Sequence, residues 1–322
     1  MLIISSALAA IIPMGIYMFL IWWFDRYDRE PFKMVLNNYL WGSLGAVVLT
    51  LIISGSFSKV FSFFILEPDQ LRRVETIIIA PIVEEIIKGA FLLITVSSFK
   101  FDNMTDGIVY GGAIGLGFGM TENFFYFISF GQTVEQWLIL VIIRTLFSAV
   151  MHCVSTATLG AFIGYAKFKK SFIKYSFPFF GLLIAMFIHF SWNFSVSSES
   201  TAFIGFFFMF YTIAIFVAMF WASVNSEKKI IFNELLEEVN LGYIPQKHLL
   251  ILNSGGRNYS GWIEESIRKR YIRTATTLAF RKMQLRNSSG QSREYYEREI
   301  ESYRTIIKNL LENPAKNYYE QI

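Results

Sequence analysis

Long apolar runs separated by short polar breaks dominate the first two thirds of the chain. Seven runs, about residues 2–24, 34–55, 75–97, 107–130, 137–166, 176–197 and 202–224, each suffice to cross a bilayer as a helix, which takes roughly 20 residues. The second run extends towards Phe57–Leu66, with Lys59 interrupting it. After residue 224 the pattern changes. Ile231, Leu235, Leu236 and Val239 recur at helical spacing, and a second helical periodicity covers Trp262–Leu285. Ser288-Ser289-Gly290 breaks that helix, and Arg293–Glu312 resumes as a polar helix of alternating charge. The pattern predicts an all-α protein: a polytopic transmembrane bundle of about seven spans over residues 1–224 and a soluble helical tail over 225–322.

Composition agrees with a membrane protein. Hydrophobic residues make up 54% of the 322, and charged residues only 17%, against about a quarter in soluble domains. Cys153 is the single cysteine, which excludes an internal disulfide framework. No Lys or Arg precedes the first run and no small-residue cleavage site follows it, so it reads as a retained anchor rather than a removable signal peptide. Charges cancel over residues 1–224, and the tail carries the whole net +4. Such a mildly basic tail fits a solvated face near anionic lipid rather than nucleic-acid binding.

Lys and Arg in the loops set orientation. The loop between spans five and six carries Lys167, Lys169, Lys170 and Lys174, and the tail begins with Lys228 and Lys229. The loops around Thr133–Gln136 and Ser197–Thr201 carry none. This predicts a cell-membrane protein with a cytoplasmic tail and the N-terminus outside, although Lys59, Arg72 and Arg73 fall on the outer side.

Polar groups inside the spans carry the candidate chemistry. An ionisable group in hydrocarbon costs at least ~2.5 kcal/mol on insertion scales, so intramembrane charge points to function. Span three holds Glu84, Glu85 and Lys88; span four, Glu122 and Asn123; span five, Arg144 near its start and His152 near its centre; span six, His189 and Asn193 on one helical face. Traced through the alternating spans, these groups from four helices fall at about the same depth. A desolvated carboxylate suits a general base near neutral pH. Imidazoles can bind metal or steady an oxyanion, an Asn amide can donate, and Glu with His can hold zinc. The zincin, α/β-hydrolase and P-loop motifs are missing.

Blander readings exist for each feature. Lys88, four after Glu84 and three after Glu85, can neutralise one carboxylate but not both. His152 alone could be a satisfied interior histidine, and Arg144 reads as an interfacial or structural charge. Gly111-x-x-x-Gly115-x-x-x-Gly119 lets span four pack closely on a neighbour.

In order along the chain, the motifs are Asp25-Arg26-Tyr27 with Glu30-Pro31, Glu84-Glu85-x-x-Lys88, Asp106-Gly107-Ile108-Val109-Tyr110-Gly111, Gly115-Leu116-Gly117-Phe118 leading to Glu122-Asn123, then Arg144, His152 and His189-x-x-x-Asn193. This series resembles the PrsW family of intramembrane proteases, itself similar to the larger group that includes the type II CAAX prenyl proteases. The tail is similar too, with Leu236-Glu237-Glu238-Val239 and Gly242-x-Ile244-Pro245. Two departures stand out: the tail beyond Gly290 is long and charge-rich, and Met120 and Thr121 precede Glu122 where small apolar residues are more usual.

The resemblance implies a membrane endopeptidase. Glu84 and Glu85 would activate water, Glu122, His152 and His189 would complete the site, and Asn193 would stabilise the oxyanion. Two routes remain open: zinc held by residues among Glu85, Glu122, His152 and His189, or glutamate-activated water without metal. The implied partner is a membrane-anchored protein such as an anti-sigma factor. Three other readings fit the same residues: a proton- or ion-coupled transporter, an inactive scaffold or immunity-type protein, and a processor of prenylated proteins. No pair of spans looks broken at matching positions in two inverted halves, which counts against the transporter.

Overall fold

The computed structural model describes residues 2–97 and 101–312, so the final ten residues of the expected tail lie outside it. Every described element is helical. The helices are α1 (Leu2–Phe24), α2 (Phe32–Phe61), α3 (68–96), α4 (Met104–Phe130), α5 (Val134–Ala166), α6 (Ser171–Val196), α7 (Glu199–Asn240), α8 (Gln246–Leu252), α9 (Glu265–Arg286) and α10 (Gln291–Glu312).

Each of the seven expected runs falls on a helix, but only five of the described helices are long and apolar enough to cross a membrane: α1, α2, α5, α6 and α7. The two that fall short, α3 and α4, hold Glu84, Glu85, Lys88 and Glu122. α3 falls short through the charges of Glu84, Glu85 and Lys88, and α4 through its glycines together with Glu122 and Asn123.

Two compact units divide the chain. The first holds α1 to α6 and α7 as far as Trp221, and α4 is its centre, buried along most of its length. Asn103 starts α4 with a capping box: its Oδ1 accepts from the N–H groups of Thr105 and Asp106, and Asp106 Oδ2 accepts from the Asn103 N–H at 3.2 Å. Gly107, Gly111, Gly115 and Gly119 then form a stripe that lies on the backbone of α5. A Cβ on the first three would overlap the carbonyl oxygens of Gly160, Thr156 and His152 in turn; on Gly119 it would come within 2.9 Å of Ala149 Cα. Small residues at every fourth position are what allow two helices to approach so closely.

Three helices contain a π-turn: Trp41–Ala46 in α2, Glu75–Ile79 in α3 and Arg144–Ser148 in α5. Such one-residue insertions often accompany functional sites.

The second unit contains the end of α7 with α8, α9 and α10. Its core includes Ile231, Leu235, Tyr271, Leu278, Phe280 and Ile307. Gly242, at φ +81°, ends α7, with the Tyr243 N–H returning to the Glu238 carbonyl at 2.9 Å. The Glu238 carboxylate is fully buried and accepts from Lys282 Nζ at 2.6 Å and from Arg304 Nε at 2.8 Å.

Candidate active site

Four helices of the first unit bring the buried Glu84, Glu85, Lys88, His152 and His189 together with the half-buried Glu122. Lys88 is its hub. Its ammonium, with no exposed surface, donates to Glu84 Oε2 at 3.2 Å, Glu85 Oε1 at 2.9 Å and His152 Nδ1 at 3.0 Å, and lies 4.0 Å from the centre of the Phe118 ring. All three protons of the group are thereby used.

These partners fix the histidine tautomers. An ammonium can only donate, so His152 Nδ1 accepts and its proton sits on Nε2, which donates to Glu122 Oε2 at 2.8 Å. His189 Nδ1 donates to Glu85 Oε1 at 3.1 Å, leaving Nε2 as the lone-pair nitrogen of the neutral ring. The two rings meet edge to face, 4.8 Å between centres.

The adjacent carboxylates have different surroundings. Glu85 accepts at Oε1 from Lys88, His189 and Ser155 Oγ at 3.2 Å, the last shared with the His152 carbonyl, and at Oε2 from Thr156 Oγ1 at 3.1 Å. Glu84 Oε2 has the Lys88 bond, and lies 3.9 Å from both His152 Nδ1 and His189 Nε2. Glu85 is locked in place, whereas Glu84 faces both imidazoles.

Arg144 belongs to the cluster rather than to the interface. Its Nη2 donates to Glu122 Oε2 at 2.5 Å, its Nε donates to Asn123 Oδ1 at 3.0 Å, and its guanidinium covers the Tyr126 ring at 3.6 Å. Eight residues separate Arg144 from His152, which in a plain α-helix would set them roughly 80° apart around the axis. The π-turn takes up one residue, and the remaining seven make about two turns, so both side chains reach the same Glu122 oxygen. Three carboxylates thus face two fixed cations, Lys88 and Arg144, leaving one negative charge with the imidazoles neutral.

Asn193 is turned elsewhere. Its Nδ2 donates to the Thr76 carbonyl at 2.9 Å. Ser155 and Thr156 are the residues that the sequence reading passes over. They follow His152 by three and four positions, on its own helical face, which is the signal that could have found them.

The donor set suits a divalent metal ion. Glu84, His152 and His189 offer one carboxylate oxygen and two ring nitrogens within 4.8 Å of one another. Zinc bonds of about 2.0–2.2 Å span the 3.9 Å between Glu84 and either ring nitrogen. Glu85 and Glu122, expected among the ligands, instead hold the far nitrogens of His189 and His152, the usual carboxylate support of a metal-binding imidazole. An ion there would take the single lone pair of His152 Nδ1, so the Lys88 bond to that nitrogen would have to give way.

The model of the PrsW family intramembrane metalloproteases matches residues 30–222, which carry this cluster. The chain belongs to the PrsW family. It is 28% identical over 231 residues to Protease PrsW of Bacillus subtilis (strain 168), covering 70% of this chain and 94% of the relative. It is 29% identical over 194 residues to Protease PrsW of Clostridioides difficile (strain 630), covering 60% and 79%, and 25% identical over 211 residues to that of Geobacillus kaustophilus (strain HTA426), covering 64% and 83%. No solved structure matches. Membership makes the chain a multi-pass membrane peptidase.

Proposed function

We propose that the chain cleaves a peptide bond of a membrane-anchored protein within the bilayer, with Glu84 as the base that takes the proton from the attacking water. The observation that carries this reading is the contrast between the two carboxylates. Glu85 is held through both oxygens by Lys88, His189, Ser155 and Thr156, while Glu84 faces both imidazoles with one oxygen and is the one positioned to exchange a proton. Lys88, whose three protons are all engaged, favours a developing oxyanion through its charge rather than through a free N–H. Glu85 and Glu122 orient the two imidazoles, and Arg144 holds Glu122. Glu84 then passes its proton to the leaving amine.

In an ion-assisted form Glu84 Oε2, His152 and His189 would hold a zinc ion, which would supply Lewis acidity and lower the pKa of bound water, leaving Glu84 Oε1 as the oxygen free to take the proton. The substrate class suggested by the family resemblance is a single-span signalling protein such as an anti-sigma factor. In the proposed topology α3 and α4 join the five apolar helices as spans, the N-terminus is outside, and the tail from residue 225 is a separate cytoplasmic domain.

Metal analysis of the purified full chain, paired with chelator treatment during cleavage of a membrane-anchored reporter, tests the route. Stoichiometric zinc lost together with activity supports the ion-assisted form, and full activity in metal-free protein leaves Glu84 acting alone. Undiminished cleavage by Glu84→Gln would overturn the assignment of the base.

A further inference from the structure

The start of the catalytic helix has a backbone problem that the sequence can be made to explain. In the π-turn Glu75–Ile79, the Ala80 N–H bonds to the Glu75 carbonyl, five residues back. Ala80 is the residue whose N–H would serve Thr76 in an α-helix. The π-type partner of Thr76 is residue 81, and Pro81 has no N–H to give. Neither ladder therefore serves the Thr76 carbonyl. Asn193, reaching across from α6, donates Nδ2 to that oxygen at 2.9 Å.

Geometry ties this contact to the cluster. Thr76 and Pro81 precede Glu84 on α3, and Asn193 follows His189 by one turn on α6. The bond between Asn193 and Thr76 and the 3.1 Å bond between His189 and Glu85 therefore pin the same two helices at successive levels. Glu84 and His189 Nε2, 3.9 Å apart, depend on that alignment.

We propose that Asn193 is a positioning residue. Its carboxamide caps the carbonyl left over by the π-turn and Pro81, and so holds the first turns of α3 against α6 with Glu84 in register with His189. That bond commits one of the two Nδ2 protons to the protein backbone. The kinetic consequence rests on the protease reading above; the backbone consequence does not.

The test uses the full chain in detergent without substrate, followed by amide hydrogen exchange over residues 77–84. Asn193→Ala should speed exchange there about two- to tenfold, the range for losing one hydrogen bond. Pro81→Ala supplies an N–H within reach of Thr76, so the Pro81→Ala/Asn193→Ala double variant should exchange more slowly than Asn193→Ala alone. With a single-span membrane reporter, Asn193→Ala should lower kcat about tenfold or more with KM nearly unchanged, since an ångström of misplacement suffices for such losses, and the double variant should regain part of it. An oxyanion donor would leave exchange in the substrate-free chain unchanged and gain nothing from Pro81→Ala; either result overturns the proposal. If Asn193→Ala fails to fold, the double variant must fold better, and failure to do so overturns it as well. A wild-type chain that cleaves no reporter counts against the protease reading, while the exchange result still decides the role of Asn193.

Discussion

Glu84 and Glu85 are neighbours in sequence, yet neutralising each should have opposite consequences. Glu85→Gln removes the charge that four donors address: Lys88 at 2.9 Å, His189 at 3.1 Å, Ser155 at 3.2 Å and Thr156 at 3.1 Å. Bonds to a charged group contribute about 1.5–3 kcal/mol each, and bonds to a neutral one about 0.5–1.5. Glutamine also turns one acceptor into a donor, and the Lys88 ammonium stays buried with a partner lost. The expected cost is about 3–5 kcal/mol, the range for a broken buried pair. Glu84 is held by one 3.2 Å bond, so Glu84→Gln should cost about 1 kcal/mol while abolishing turnover. Unfolding in detergent together with reporter cleavage reads both effects. Equal destabilisation by the two variants, or greater destabilisation by Glu84→Gln, would refute the division between a locked and a reactive carboxylate.

Further outcomes follow from the rest of the molecule. Arg144→Lys should lower kcat about 10- to 100-fold, because lysine lacks the planar fork whose Nε and Nη2 address Asn123 and Glu122 from separate positions, and loss of such supporting contacts has that scale; undiminished turnover would remove Arg144 from the site. Gly115→Ala forces a Cβ into the His152 carbonyl and should destabilise the chain by about 2 kcal/mol or more, whereas Gly55→Ala in α2, with open space around it, should be neutral or slightly stabilising in the same unfolding assay. In the second unit, burial and the adjacent Lys247 push the His248 pKa down, and Glu238, although burial raises it, is held below its usual range by Arg304 and Lys282. Both folded pKa values are depressed, so both groups stabilise fully above their unfolded values. That stability falls as pH drops below about 6.5 for His248, and below about 4.3 for Glu238. Hydrogen exchange over Glu265–Arg286 in the full chain should accelerate in those two windows once corrected for intrinsic rates, and a flat profile would contradict it.

How much of this was legible depended on which physics left a mark on the residues. Lipid enforces apolar composition, so all seven runs coincide with helices, including α3 with its three charges and α4 with its glycines. Depth along alternating spans was enough to group Glu84, Glu85, Glu122, His152 and His189. Three things escaped. The π-turn at Arg144–Ser148 is a backbone choice that residue types do not announce, and without it Arg144 points about 80° away from His152. Hydroxyls in apolar helices commonly bond back to their own turn, as Ser155 also does to the His152 carbonyl, so its bond to Glu85 had no separate signature. The difference between Glu84 and Glu85 depends on which donors converge on each, and adjacency in sequence hides it.

From Gly107 to Gly119, α4 lies so close to α5 that a Cβ on any of the four glycines of the stripe would come within 3 Å of a main-chain atom. The two helices form one stiff slab carrying Glu122, Arg144 and His152, which cannot be parted without breaking main-chain contact along more than three turns. α3, which carries Glu84 and Glu85, turns Ile78, Ile82 and Ile86 outward, so the helix that supplies two carboxylates to the interior presents an apolar seam on its other side.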